Sequence, residues 1–330
     1  MSLARAAELR QAFGPGLRLD VPLARYTTSR IGGNADGLIE VRSAADLADT
    51  VRKLWAMGQA YLVLGAGSNV LVSDQGCREI VLINRAKRVT FGSTSDQFPL
   101  VRCESGAALG LVARQTVQRG WSGLEWAVGV PGTVGGAIVG NAGASDGDIA
   151  SSLYLAEILQ HQVLGKAGKG ESGPLNASIA RLSPVELELA YRSSRLKRER
   201  GWGVVLGAEF RLQPVDRAEL RRRTEIYVVQ RRRSQPPGAS MGSMFKNPAG
   251  DFAGRLIEAA GLKGKRLGGV EISPTHANFF VNLGGGKAED VLRLMEETQA
   301  EVRRNSGIEL EPEIEYVGAW ESRPFGGARG

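Results

Sequence analysis

Four stretches of this 330-residue chain combine residue types and spacings that could do chemistry. The first, Leu64-Gly65-Ala66-Gly67-Ser68-Asn69, ends the apolar run Tyr61-Leu62-Val63-Leu64. Without a Cβ, glycines in such a turn let backbone N–H groups approach an anionic oxygen. The pattern is not a dinucleotide fingerprint. The third glycine of G-x-G-x-x-G is missing, and a strand-like Val70-Leu71-Val72 stands where a helix should start. On local pattern alone, a plain tight turn accounts for it equally well.

The second stretch runs from Gly129-Val130-Pro131-Gly132 through Gly135-Gly136 to Gly140-Asn141-Ala142-Gly143. Two glycine-rich turns so close together predict a concave surface of exposed amides suited to a pyrophosphate. No charged residue falls between Trp126 and Ser145. This argues for burial against a ligand rather than an exposed loop. Pro131 and the glycines make a membrane helix, or any good helix, a poor reading.

The third is Gly242-Ser243-Met244-Phe245-Lys246-Asn247-Pro248, where a hydroxyl, an ammonium and an amide could share one pocket. No G-x-S-x-G elbow surrounds Ser243, and the local pattern by itself reads as a turn. The fourth is Glu311-Pro312-Glu313-Ile314-Glu315, within a strand expected over 308–316. On a strand its three glutamates share one face, and such a row is ordinarily solvated.

Composition narrows the class. The chain is 42% hydrophobic and 23% charged, so it can build a core, and its length suggests two or three domains. Forty-two basic against thirty-five acidic residues leave a net charge of +7, which favours anionic ligands. Arginines cluster at 221–223 and 231–233, on a helix expected over 216–233. Two cysteines and two histidines supply neither a disulfide framework nor a metal site, and no metal is expected. The opening MSLARAAELRQAF has no signal-peptide apolar core, so a cytoplasmic location is expected.

Helices are expected from Ser43 to Gly58, near 108–119, over 253–260 and over 288–304. Strands are expected at 38–41, 61–64, 70–72, 80–83, 101–103, 204–206 and 279–282. The segment 165–174, KAGKGESGPL, has the chemistry of an exposed loop or hairpin. A small α/β lobe over 1–87, a second lobe over 88–213 and a separate α+β domain over 214–330 follow from this order.

Taken together, the ordered set LGAGSNVLV, GLEWAVGVPGTVGGAIVGNAGA, YRSS, GSMFKNP and EPEIEYVG resembles the UDP-N-acetylenolpyruvoylglucosamine reductase family. The likeness extends from Tyr26-Thr27-Thr28-Ser29-Arg30-Ile31-Gly32-Gly33 to the EPE run. The short course between YRSS and GSMFKNP is similar to the family's second type. The resemblance implies an α+β fold: a two-lobed FAD-binding domain of the vanillyl-alcohol-oxidase type and a C-terminal substrate domain. It implies FAD held non-covalently, because Ser68 and Asn69 stand where some relatives of that wider fold place a flavin-linking histidine. It also implies NADPH as electron source and an enolpyruvyl UDP-sugar as substrate, with no nucleic acid and no protein partner required.

By the same resemblance, Leu64, Gly65, Ala66, Gly67, Ser68, Asn69, Pro131, Gly132, Gly135, Gly136, Asn141, Ala142 and Gly143 would contact FAD. Arg192 and Glu313 would polarise the enolpyruvyl carboxylate, and Ser243 would donate a proton. Tyr191, Lys246 and Asn247 match positions near the substrate. Two departures stand out: Ser145 replaces a family-typical tyrosine, and Ser234 a frequent lysine. The second shifts a diphosphate contact to Arg233 or Arg232. Two other readings remain, a different flavin oxidoreductase of the same fold and a basic nucleic-acid-binding protein. The second lacks the aromatic residues that would interleave with its arginines.

Overall fold

The periodicities of 2 and 3.6 in the sequence translate into nineteen strands and nine helices among the described residues of a computed structural model. The described residues are 1–93, 98–162 and 176–320; the loop expected over 165–174 lies outside them.

The chain divides into two compact units, each assembled from separate stretches of the sequence. One unit contains Met1–Leu38, Ala66–Val81 and the described residues from Gln230 onward; the other contains Ile39–Gly65 and Leu82–Val229. The division falls inside Asn34–Val41 and Cys77–Asn84. These two strands are neighbours in one sheet.

The physical reason for the first unit is its core. Ile31 and Leu71 are buried among Met241, Phe245, Leu256, Phe280, Leu294 and Ile314, so early segments complete a late domain. Four antiparallel strands, in the order Ala239–Ser243, Phe279–Asn282, Val270–Ile272, Arg266–Leu267, form its sheet. The helix Ala288–Ser306 buries Val291, Leu294, Met295, Thr298 and Val302 along one stripe. The Asp74 carboxylate accepts the Ala288 and Glu289 N–H groups at its N-terminus, both at 3.0 Å.

The second unit is built on a five-stranded antiparallel sheet, ordered Asn176–Leu182, Leu153–Gln162, Gly203–Arg211, Pro99–Glu104, Val89–Ser93. The helix Leu109–Arg119 packs Leu109, Val112, Ala113 and Val117 into the same core as Phe210 and Trp126.

Three local expectations are corrected. Val70–Val72 does not pair within the first lobe; it runs parallel to Glu315–Val317. The final strand is only those three residues, because Pro312 has no N–H to donate, and the EPE segment makes a single bridge, Phe245 to Pro312. The glutamates therefore do not share one strand. Third, Val134–Val139 is a short helix despite its glycines. Packing overrides propensity here: a Cβ on Gly135 would come within 2.9 Å of Ser105 Cβ.

Cys77 and Cys103 are both buried free thiols, each pushed up to about 12, chiefly by desolvation. A thiolate is the reactive form, so the native protein should react with Ellman's reagent only as it unfolds. Rapid labelling of either thiol under native conditions would contradict this burial.

Candidate functional site

In the first unit a bulge precedes the candidate Ser243. The pairing of Ala239–Ser243 with Phe279–Asn282 shifts register between Ser240 and Ser243, and Gly242 takes φ +82°. A bulge reorients the residue that follows it. Ser243 is half-buried, and its hydroxyl has no hydrogen-bond partner among the described residues.

The next residues are pinned to the EPE run. Glu313 N–H donates to the Met244 carbonyl at 2.9 Å, and Lys246 N–H to the Glu311 carbonyl at 2.8 Å. Ser243 and Glu313 thus sit within one residue of the same rung. Buried Asn278 closes this arrangement: its side chain accepts from Phe245 N–H at 3.0 Å and donates to the Phe245 carbonyl at 2.8 Å.

The other two candidates here are already engaged. Lys246 pairs with Glu311. The Asn247 side-chain oxygen accepts the Ala253 N–H at 3.1 Å, where the helix Ala253–Ala259 begins.

The first glycine turn joins the same cluster through Asn69. Its side chain donates to the Glu313 carbonyl at 3.2 Å, and its carbonyl accepts Glu315 N–H at 2.9 Å. Thr28 Oγ1 donates to the carbonyls of Gly67, at 3.3 Å, and Ser240, at 2.7 Å. Gly67 is buried at φ +62°, and a Cβ there would meet the Tyr26 carbonyl at 2.2 Å. Among the described residues the N–H groups of Ala66, Gly67 and Ser68 meet no acceptor. Such a row of amides suits a phosphate. Thr28 also lines an open cavity of about 480 Å³ with Arg30, Gly238, Ala239, Asn282, Leu283 and Gly284. That cavity does not include Ser243.

In the second unit the glycine run behaves differently from expectation. The N–H groups of Val134, Gly135, Ala137, Gly140, Asn141 and Ala142 all donate to backbone carbonyls of the chain. The concave surface of exposed amides is therefore not what this segment offers at those positions. Gly132, at φ +120°, and Thr133 keep N–H groups with no acceptor among the described residues. Thr133 Oγ1 would lie 2.3 Å from a Cβ on Gly65, so that glycine is required by close packing.

Asn141 is 2% exposed and holds three partners. It donates to Asp148 at 3.1 Å and to the Ala190 carbonyl at 2.9 Å, and accepts Ala150 N–H at 2.9 Å. Its side chain positions the protein rather than a ligand. Ala190 and Ser193 exchange two backbone hydrogen bonds, so Tyr191 and Arg192 form the tip of a tight turn. Ser194, fully buried, donates to the Val139 carbonyl at 2.6 Å and anchors that turn. Arg192 takes φ +54°, a strained conformation for a non-glycine residue, and donates to the Gly143 carbonyl at 2.9 Å. Its guanidinium also lies 5.2 Å from the Tyr191 ring centroid. Arg233 is exposed on the last turn of its helix. Ser145, like Asn141, has positive φ.

Thr28, Asp148, Ser194 and Asn278 were absent from the sequence-derived site. Their one sequence signal is that polar residues flank the chemical motifs, which does not single them out. The described residues contain no group of three or more acidic, cysteine or histidine side chains able to hold a metal.

Comparison with known proteins decides the family. Residues 234–317 match the C-terminal domain model of UDP-N-acetylenolpyruvoylglucosamine reductase, and residues 35–160 match an FAD-binding domain model. A reductase of that name from Rubrobacter xylanophilus is 44% identical over 308 residues, covering 93% of this chain and 97% of the relative. The chain belongs to the UDP-N-acetylenolpyruvoylglucosamine reductase family. The Synechococcus reductase is 42% identical, covering 92% of this chain and 95% of its own. The crystal structure of the Thermus caldophilus enzyme superposes with TM-score 0.73 at 34% identity, covering 91% and 99% of the two chains. The α+β, FAD-binding fold implied by the motifs is thereby borne out.

Two predictions follow from the positioning contacts. Replacing Asn141 with alanine strands the Ala190 carbonyl and the Ala150 amide, and should cost about 1–3 kcal/mol in denaturant unfolding. Asn141→Gly relieves the φ of +40° but loses the same bonds, so it should recover only part of the loss. A neutral outcome for both variants would remove Asn141 as an anchor.

His276 accepts Asn278 N–H at Nδ1, 3.2 Å away, and burial pushes its pKa below the ordinary 6.5, helped by the nearby Lys263 charge. A depressed histidine favours the neutral form in the folded state. Its contribution is complete above about pH 6.5 and is lost as pH falls through the lowered midpoint. An NMR titration of the imidazole should give a midpoint below 6.5, and His276→Gln should flatten that arm of the stability profile. A midpoint at or above 6.5 contradicts the assignment.

Proposed function

We propose that this chain reduces the enolpyruvyl group of UDP-N-acetylglucosamine enolpyruvate to the lactyl ether of UDP-N-acetylmuramate, in the cytoplasm, as a step of peptidoglycan synthesis. Family membership supports the activity, and the FAD-binding match over residues 35–160 supports the cofactor. FAD, held non-covalently, supplies hydride chemistry fed by NADPH. In this reading segments 1–87 and 88–213 serve the flavin and 214–330 serves the substrate.

The single observation that carries the residue assignment is the Ser243 hydroxyl. It is half-buried, unpartnered among the described residues, and held by a bulge beside the rung that fixes Glu313. Addition of hydride to the β-carbon of the enol ether leaves an electron pair on the α-carbon, delocalised into the carboxylate. Ser243 Oγ–H gives its proton to that carbon, which completes the saturated lactyl group. A serine is a weak acid, but a carbanion-like carbon is a strong enough base to take its proton. Arg192 pairs with the substrate carboxylate and stabilises the charge that grows there. Its orientation is set in advance by the Gly143 carbonyl and the tight turn. Glu313 hydrogen-bonds the same carboxylate, which requires its proton or a shared one. Tyr191, Lys246, Asn247 and Arg233 line the substrate. The amides of Ala66, Gly67, Ser68, Gly132 and Thr133 hold phosphate oxygens of the dinucleotide.

Stopped-flow half-reactions test the assignment. Ser243→Ala should leave flavin reduction by NADPH unchanged and slow reoxidation by the enolpyruvyl sugar by about 100-fold or more. Arg192→Ala should slow the same second half-reaction by about 100-fold. Equal slowing of both halves in Ser243→Ala sinks the proton-donor role. Reoxidation by oxygen alone in the unmodified enzyme sinks the substrate.

A further inference from the structure

We propose that the exposed pole of the arginine-rich helix Arg217–Ser234 docks on the surface of an anionic lipid bilayer. The inward side of this helix carries Leu220 and Thr224, both buried, and Arg231, which is half-buried. At 3.6 residues per turn, the diametrically opposite pole carries Arg222, Ile226 and Val229. Ile226 is 56% exposed and Val229 44%. The inward face packs Leu220 and Val228 on the core, so two aliphatic side chains left about half exposed at the outward pole depart from ordinary amphipathic patterning.

The surrounding charge selects the occupant. Among the described residues, Arg217, Arg221 and Arg222 have no acidic side chain within ion-pairing distance. Arg223 differs: it pairs with buried Glu125 at 2.8 Å and is anchored to the fold. Glu219 and Glu225 are the only acids on the helix. Unneutralised guanidinium groups around two aliphatic side chains match a phospholipid surface. The charges meet phosphate headgroups, and Ile226 and Val229 reach the boundary of the acyl chains.

A nucleic acid satisfies the charge but not the aliphatic pair, since the outward pole offers no aromatic ring for stacking. A second copy of the chain would bring like charge to like charge. Docking is peripheral, because no helix of the described residues is long and apolar enough to cross a membrane.

The test uses the full chain and leaves Arg232 and Arg233 in place, because both are candidates for the substrate diphosphate. Sedimentation is measured with vesicles of phosphatidylglycerol and phosphatidylcholine, and with phosphatidylcholine alone. The expected result is binding to the anionic vesicles only. Arg221→Glu/Arg222→Glu should weaken it at least about tenfold, since each juxtamembrane arginine is worth roughly fivefold. Ile226→Ser/Val229→Ser should also weaken vesicle binding severalfold while leaving retention on heparin unchanged. Far-UV circular dichroism and an unaltered melting temperature confirm that each variant is folded. The proposal is overturned by absent binding to anionic vesicles. It is overturned equally if the serine pair binds vesicles like the parent, or if oligouridylate competes the vesicles away and binds more tightly.

Discussion

Two backbone hydrogen bonds, Glu313 N–H to Met244 and Lys246 N–H to Glu311, hold the candidate chemistry of the first unit together. They join segments far apart in sequence, so their formation must offset the loss of chain freedom on closing that loop. The apolar neighbours supply that offset. Phe245, Leu310 and Ile314 are all essentially buried in one core, and Phe245 meets Phe280 edge-on at 6.4 Å. Main-chain bonding also makes the geometry independent of side-chain identity at the outward positions. Ser243, Lys246 and Glu313 can therefore be chosen for chemistry without being needed for folding.

The second unit solves the same problem with side chains. Asn141 and Ser194 both bond to main-chain carbonyls, and between them they tie the tip carrying Arg192 to the glycine run. Asparagine suits this place because it offers two donors and an acceptor on one short planar group, and because it tolerates positive φ. An arginine in the left-handed region costs energy that only a surrounding set of fixed contacts can sustain. Preorganisation of this kind matters most for a group asked to stabilise charge that appears only in a transition state.

Much of the fold was legible in the sequence because its signals are local. The helix Leu109–Arg119 was expected near 108–119, Phe279–Asn282 appears as read, and Ser43 caps its helix by accepting Asp46 N–H. Two of the misreadings are non-local. Nothing near Val70–Val72 announces a parallel partner at Glu315–Val317. Nothing near Ile31 shows that it completes a core built mainly from residues after 240. Family motifs nominate the candidate residues, but not Thr28, Asp148, Ser194 or Asn278, whose importance lies in which distant carbonyl or amide they meet.

The glycines make the same distinction sharper. Gly65, Gly67 and Gly135 all lack space for a Cβ, because Thr133, the Tyr26 carbonyl and Ser105 respectively crowd them. Crowding alone says that backbone approaches backbone or side chain, which is a packing requirement. What separates a ligand-holding turn from a merely compact one is the fate of the amides. In 134–142 most are consumed by the fold's own carbonyls, whereas in 66–68 they are left over beside a buried glycine. A buried N–H without an acceptor is costly. In the proposed reading the row of amides at 66–68, centred on buried Gly67, takes its acceptor from outside the chain, and an anionic phosphate is the one that such a row fits best.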